Sequence, residues 1–246
     1  MIEIRNLKKS FGDLLVWEDV SFNIEDGETV AIIGRSGCGK SVLVKHLNAL
    51  IYPDSGEVII DGENIFELEY VALRKMRQRF GVLFQGSALF DSLNTFENIA
   101  FPLRYFTDFS DERITEKVEE ALSLVNLEGT GEKSPAELSG GMRRRVALAR
   151  ATILEPDFLI YDEPTSGLDP QTSSEINKLI ISMAENLNIT SIVVTHDIHS
   201  VLEIAEKVVF LENQGLCWYG TVDEMRRSDN EELMDFITAS EYQIRN

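Results

Sequence analysis

The stretch Gly34-Arg35-Ser36-Gly37-Cys38-Gly39-Lys40-Ser41 constrains this chain more than any other. It follows a short apolar run, Thr29-Val30-Ala31-Ile32-Ile33, with the composition of a buried strand. It leads into Val42-Leu43-Val44-Lys45-His46-Leu47, which reads as a helix. Strand, then G-x-x-x-x-G-K-[ST], then helix is the context that a phosphate-binding loop requires. The glycines let backbone N–H groups turn inward around an anion, where a Cβ would block the approach. The helix that follows points its positive end at the same anion. Lys40 is expected to reach β- and γ-phosphates, the Ser41 hydroxyl to ligate Mg²⁺, and the loop through Val42 to cradle the nucleotide. The pattern predicts binding of a nucleoside triphosphate.

At 246 residues the chain suits one large α/β domain, or an α/β core carrying one insertion. No apolar run approaches the roughly 18–20 residues that span a bilayer. The start, Met1-Ile2-Glu3-Ile4-Arg5, lacks the basic-then-apolar layout of a signal peptide. A cytosolic protein is expected, with any membrane contact made through a partner. The formal net charge is −19, from 42 acidic and 23 basic residues. A field of that sign opposes binding to nucleic acid or to an anionic lipid surface, and the acidity is read as a solvated exterior. Two cysteines, Cys38 and Cys217, make neither a disulfide framework nor a metal cluster. Cys38 falls where the loop motif specifies no side chain and is read as a tolerated small residue.

Residues 2–7 and 16–24 alternate apolar and polar like half-buried strands. Asp26-Gly27 reads as a hairpin turn ahead of the 29–33 strand. Another strand is expected over 57–60, turned by Asp61-Gly62, so that an antiparallel layer surrounds the first strand–loop–helix unit. Residues 74–79 form a basic helical stretch and 80–84 a strand ending at Gln85. From about 86 to 155 the texture becomes helical, with helices over 111–124 and 139–154, as in an insertion. Strand 158–161, helix 170–187, strand 189–195, helix 199–205 and strand 207–211 then resume the core. Strands alternating with helices predict a mainly parallel, doubly wound sheet. Residues 228–246, with Leu233, Met234, Phe236 and Ile237 among acidic residues, are expected to form a terminal amphipathic helix on the core.

Phe158-Leu159-Ile160-Tyr161 ends in Asp162-Glu163. Ligands sit at the carboxyl ends of strands in open α/β sheets. Asp162 is therefore expected to bind Mg²⁺ and Glu163 to polarise or deprotonate an attacking water, although a helix cap would also use such residues. Gln85 also ends a strand and could reach metal or water. His196 follows Ile192-Val193-Val194-Thr195 and could donate to a γ-phosphate or act only as a cap. Leu138-Ser139-Gly140-Gly141 precedes a helix containing Met142-Arg143-Arg144-Arg145-Val146-Ala147-Leu148-Ala149-Arg150. Ser139 fits an N-cap, and the Ser-Gly-Gly start fits a second anion site. The arginines behind it are read as a solvated face plus structural pairs.

In order along the chain, the phosphate loop, Gln85, Leu138 to Met142, Asp162-Glu163, Ser166-Gly167-Leu168-Asp169 and His196 resemble an ABC transporter ATPase domain. The resemblance covers nearly the whole chain as a single domain, 1–246. It implies the α/β fold of that P-loop NTPase group: a mainly parallel core sheet, an antiparallel β subdomain and a helical subdomain at about 86–155. It implies ATP and Mg²⁺ as ligands, with Ser41, Gln85 and Asp162 at the metal and Lys40, Glu163 and His196 in catalysis. By the same resemblance Phe11 stacks on adenine, and Ser139, Gly140 and Gly141 contact the nucleotide of a second copy. Asp169 then links the two sites across an ATP-sandwich dimer. The family's usual signature ends in Gln, where this chain has Met142.

Within the family, Val82 to Leu93, Phe96 to Arg104 and the Met-ending signature most resemble the ATPases of Mla-type phospholipid transport systems. That implies a subunit peripheral to the cytoplasmic face of an inner membrane. Its partners would be an integral-membrane permease, a lipid-binding periplasmic protein, a small cytosolic regulatory subunit and no nucleic acid. Competing expectations are an importer ATPase for another small substrate, a soluble ABC ATPase such as that of iron–sulfur cluster assembly, and an ABC-type nucleic-acid or ribosome-binding protein. The last usually carries two ATPase domains or a long coiled coil, and neither is legible here.

Overall fold

A computed structural model of the chain describes residues 1–245, with side chains to Ser240; Asn246, the last residue of the expected terminal helix, lies outside the described residues. Two sheets organise it. The first is antiparallel, in the order β2-β1-β4-β5, from β1 (Ile2–Phe11), β2 (Leu14–Ile24), β4 (Ser55–Ile60) and β5 (Glu63–Asn64). The second runs β10-β9-β3-β8-β7-β6, from β3 (Thr29–Ile33), β6 (Phe80–Leu83), β7 (Phe158–Asp162), β8 (Thr190–Val194), β9 (Lys207–Glu212) and β10 (Gly215–Thr221). Its β6, β7, β8, β3 and β9 are mutually parallel, and β10 turns back antiparallel on β9.

Period-2 alternation sorts the parallel strands between two cores. Val30, Ile32, Phe158, Ile160, Ile192 and Val194 pack with Ile2, Leu7, Trp17 and Val20 of the antiparallel layer. Leu83, Leu159, Tyr161 and Val193 face the helices on the other side. Those helices lie between β6 and β7: α3 (Thr95–Phe106), α4 (Asp111–Leu124) and α5 (Gly140–Thr152). Their apolar faces, including Ile99, Leu103, Val118, Leu122, Val146 and Leu148, join one continuous cluster with that sheet face. Helix α1 (Lys40–Leu47) follows β3, α6 (Pro170–Leu187) follows β7 and α7 (Ile198–Ile204) follows β8. The short α8 (Val222–Arg226) and α9 (Glu231–Arg245) close the chain, with Met225, Leu233 and Phe236 packed on Phe210 and Ile33.

Several sequence expectations shift. Asp26-Gly27 makes no hairpin, because β2 pairs with β1 while β3 pairs with β8 and β9; the turn carries the chain from one sheet to the other. Strand β6 stops at Leu83, so Gln85 lies in the loop beyond it. The basic helix, α2, begins earlier and spans Tyr70–Gln78. Strand β10 was not legible, although Asn213 and Gln214 both take left-handed φ, +49° and +62°, as a two-residue hairpin turn of the mirror-image kind needs. Helix α3 was hidden by Pro102 inside it.

One close approach ties the helical layer to the sheet edge. A Cβ at Gly81 in β6 would lie 2.3 Å from the Ala151 carbonyl oxygen and 2.7 Å from Leu159 Cδ1. Gly81→Ala must push α5 off the sheet, at a cost of about 1–3 kcal/mol for overpacking. Urea denaturation should show its midpoint lowered with unchanged slope; a midpoint equal to wild type would refute this packing.

Candidate active site

The parallel pairing puts the candidate residues on one rim of the sheet. Ile32 lies level with Val194, and Val194 with Asp162. Leu83 lies level with Tyr161, so Gln85 leaves its strand beside the Asp162-Glu163 end. With strands about 4.8 Å apart, the phosphate loop and the carboxylates are two strands, roughly 10 Å, from each other.

The loop after β3 needs its glycines. Gly34 and Gly39 have φ of +147° and +98°, which side chains rarely adopt. A Cβ on Gly39 would sit 2.2 Å from Trp17 Nε1 and 2.6 Å from Val16 Cγ1. The indole of buried Trp17 thus underlies the loop and holds the β1–β2 hairpin against it. Val16, Gly37, Gly39, Lys40, Ser41 and Val42 line a cavity of about 190 Å³. Arg35, Ser36, Gly37 and Ser41 are exposed around its mouth. Lys40 Nζ donates to the carbonyls of Gly34 at 2.7 Å and Arg35 at 3.1 Å, which keeps the ammonium folded over the loop. Phe11, at the hairpin tip, is half exposed with Lys9 Nζ 5.2 Å from its ring centre.

At the end of β7, burial and the adjacent Glu163 charge push the Asp162 carboxyl above the usual range, against Lys40, Lys45 and Arg144. Glu163 is a non-glycine residue with φ of +51°, held there by its N–H bond to the Val194 carbonyl at 2.8 Å. Strain of that kind concentrates at functional sites. Glu163 Oε1 lies 2.9 Å from His196 Nδ1; the Glu163 side chain is 14% exposed and that of His196 64%. An ionised carboxylate only accepts, so Nδ1–H is the donor. The Nε2 of a neutral imidazole then carries a lone pair, and donation from it to a phosphate would require the imidazolium. Oxygens of Ser41, Asp162 and Gln85 are hard donors of the kind Mg²⁺ takes.

Ser139 caps α5, its Oγ accepting from Met142 N–H at 3.2 Å and keeping its own O–H to donate. The Met142 side chain itself packs against the helical core. A Cβ on Gly141 would come within 2.6 Å of Thr172 Cγ2, and one on Gly140 within 3.4 Å of Leu168 Cδ2. Asp169 caps α6 and accepts from Thr172 N at 3.0 Å and Thr172 Oγ1 at 2.6 Å, which holds its carboxyl below the usual range. Within one chain, then, Gly140 and Gly141 sit against Leu168 and Thr172. Among the described residues, no hydrogen bond joins them to 34–42.

Of the expected solvated face plus structural pairs, the arginines of α5 keep the pairs, as Arg145 does with Glu175, but not the solvated face, since all four are buried or half-buried. Arg144 is 4% exposed and donates to Phe84 and Gln85 carbonyls at 2.9 and 2.5 Å. Arg150 binds the Ala88 and Ser87 carbonyls, and Arg145 binds Val125 O and Glu175. A run of like charges gave no sign of the main-chain partners, because those carbonyls lie up to about 60 residues away along the chain, as Ser87 and Phe84 do.

Burial raises the Cys38 thiol above its ordinary value, with Lys40 opposing. A raised value leaves little reactive thiolate at neutral pH. In a Cys217→Ser chain, N-ethylmaleimide should label Cys38 slower than a free thiol at pH 7 and faster as pH rises. ATP should protect, and the labelled chain should lose nucleotide binding; labelling with ATP affinity intact would contradict this placement.

A family model described as ABC transporter matches residues 17–166. The chain is 39% identical over 237 residues to the intermembrane phospholipid transport system ATP-binding protein MlaF of Haemophilus influenzae, covering 96% of this chain and 90% of that one. It is 41% identical over 236 residues to the probable ribonucleotide transport ATP-binding protein mkl of Mycobacterium tuberculosis, of which it spans 66%. It is 40% identical over 241 residues to the methionine import ATP-binding protein MetN of Clostridium tetani, covering 98% of this chain and 76% of that one. A dimeric ATP-binding cassette solved in a post-hydrolysis state bound to ADP and Pi superposes with a TM-score of 0.81 at 32% identity, covering 90% of this chain and 99% of that one. With its two-sheet α/β fold and its motifs on one sheet rim, this chain belongs to the ABC transporter family and is one of its ATPases.

Proposed function

We propose that two copies of this chain close around two ATP·Mg²⁺ and drive a membrane permease that moves phospholipid at an inner membrane. The observation that carries the catalytic part is the Glu163–His196 pair at 2.9 Å, on the same rim as Lys40 and the glycine loop. In this reading the loop and Lys40 hold the β- and γ-phosphates, and Phe11 stacks on adenine. Ser41, Asp162 and Gln85 hold Mg²⁺, which neutralises phosphate charge when bound. Glu163 takes a proton from the water that attacks the γ-phosphorus in line. The new P–O bond forms as the bond to the β-phosphate oxygen breaks, giving ADP and phosphate. His196 orients the Glu163 carboxylate through Nδ1–H. The N-terminus of α5, with Ser139, Gly140 and Gly141, meets the γ-phosphate of the opposite copy, and Asp169 lies between the two sites. Positioning and electrostatics dominate such a reaction because its charge is spread over phosphoryl oxygens.

No helix among the described residues is long and apolar enough to cross a membrane, so translocation is assigned to a permease. A groove of about 500 Å³ beside the Gln85 loop is lined by Phe84, Phe90, Phe101, Phe106 and Leu154. Those four phenylalanines are each more than 40% exposed. Clustered exposed aromatics mark an interaction surface, and a groove of this kind suits an amphipathic helix. The permease would place the chain on the cytoplasmic face of the membrane. The relationship to MlaF supports phospholipid as the substrate. A lipid-binding periplasmic protein and a small cytosolic regulatory subunit are proposed as further partners. The comparable identity to MetN favours import of an amino acid as the second reading.

Glu163→Gln should bind ATP, form an ATP-dependent dimer by gel filtration and hydrolyse about 10²–10⁴-fold more slowly; full activity would move the base elsewhere. Phe101→Glu in the groove should abolish co-purification with the permease while ATP binding persists, and retained co-purification would exclude the groove. Lipid analysis of the purified native complex decides the substrate: bound phospholipid supports this reading, and an amino-acid-binding subunit in its place overturns it.

A further inference from the structure

Helix α5 carries two arginines that hold one loop by its carbonyl oxygens. Arg144 Nη1 donates to Phe84 and Gln85, and Arg150 donates to Ser87 and Ala88. Ser87 and Ala88 both take left-handed φ, +63° and +46°, so this turn does not keep its shape through backbone preference. Arg144 does something more. Its Nη2 lies 3.4 Å from the Ser166 carbonyl, and Ser166 N–H donates to Glu163 O at 3.2 Å. One guanidinium therefore touches the Gln85 loop, the turn after Glu163 and, through its own helix, the Ser139 cap.

The chemistry of that contact is unusual for a buried cation. Arginine stays charged, yet among the described residues no carboxylate is bonded to Arg144; only main-chain oxygens meet it, and its Nε meets none. Burial lowers its proton affinity, with the charge of Asp162 opposing. An apolar side chain would fill this space without that desolvation. The planar fork fixes the directions of its donors, so neither loop can shift alone without unpairing a buried polar group.

We propose that Arg144 is a positioning residue for ATP hydrolysis, locking the Gln85 loop and the Glu163–Asp169 turn to the Ser139 helix so that the three move as one unit. It acts through Glu163 and so rests on the assignment of that residue as base. The aromatic groove ends at the same loop, and movement there reaches the catalytic carboxylate through this fork. Lysine keeps the charge but loses the fork, and methionine keeps only bulk.

The test uses the full chain with Arg144→Lys and Arg144→Met. Both should keep ATP affinity within about twofold while kcat falls about 10- to 100-fold, the scale of a small misplacement of reacting groups. Hydrogen exchange in the Glu163→Gln chain should show amides of 85–88 and 165–168 gaining protection together on ATP addition, and separately once Arg144→Lys is added. Wild-type kcat in either variant, a fall in kcat matched by loss of affinity, or continued joint protection overturns the proposal. If neither variant folds, exchange in the Glu163→Gln chain with Arg144 intact still decides, because independent opening of the two segments there contradicts the lock and joint opening supports it. Wild-type hydrolysis by Glu163→Gln alone would remove the base assignment without reference to Arg144.

Discussion

The pairing of β3 with β8, and of β8 with β7, makes one site from residues far apart in sequence. Because Ile32, Val194 and Asp162 share a level, the phosphate loop, His196 and the two carboxylates all emerge from the same rim. A slip of one residue along β7 would turn Asp162 to the opposite face and exchange the core and rim sets of the strand. The fully buried side chains of Phe158 and Ile160 against the antiparallel layer, and of Leu159 and Tyr161 against the helices, hold that register.

Rigidity beneath the site comes from close approach as much as from apolar burial. Trp17 presses against the backbone of Gly39, and Gly81 lets α5 reach the sheet edge. Glu163 is kept in a left-handed conformation by the Val194 carbonyl, which turns its side chain back toward His196. The loops that carry chemistry are thus fixed by backbone contacts to the core. The aromatic surface beside Gln85, in contrast, is left exposed.

Much of this was legible in the chain itself. The apolar run 29–33, the glycine-rich loop and the 158–163 segment declare their structure locally, through composition and turn chemistry, and both strands form where expected. Local signals misled where pairing is decided at a distance. Asp26-Gly27 has the residues of a hairpin turn, but the strands it joins belong to different sheets. Pro102 disguised α3, and the turn at Asn213-Gln214 announced β10 only through its backbone angles. The Glu163–His196 contact and the buried Arg144 depend on loops folding back, and no spacing in the sequence encodes either.

The account rests on the site being half-built in each chain. Gly140 and Gly141 lie against Leu168 and Thr172 of their own chain, and the γ-phosphate proposed for the Ser139 cap belongs to the other copy. Mixing two defective chains tests this most directly. In the slow-hydrolysing Glu163→Gln background, a chain with Lys40→Ala is mixed with a chain carrying Ser139→Phe. Each alone should fail to occlude ATP, and the mixed dimer should retain one slowly released ATP, since one of its two sites pairs an intact loop with an intact α5 terminus. Mixed dimers that occlude no ATP would place Ser139 and the phosphate loop of a single chain in the same site and contradict the account.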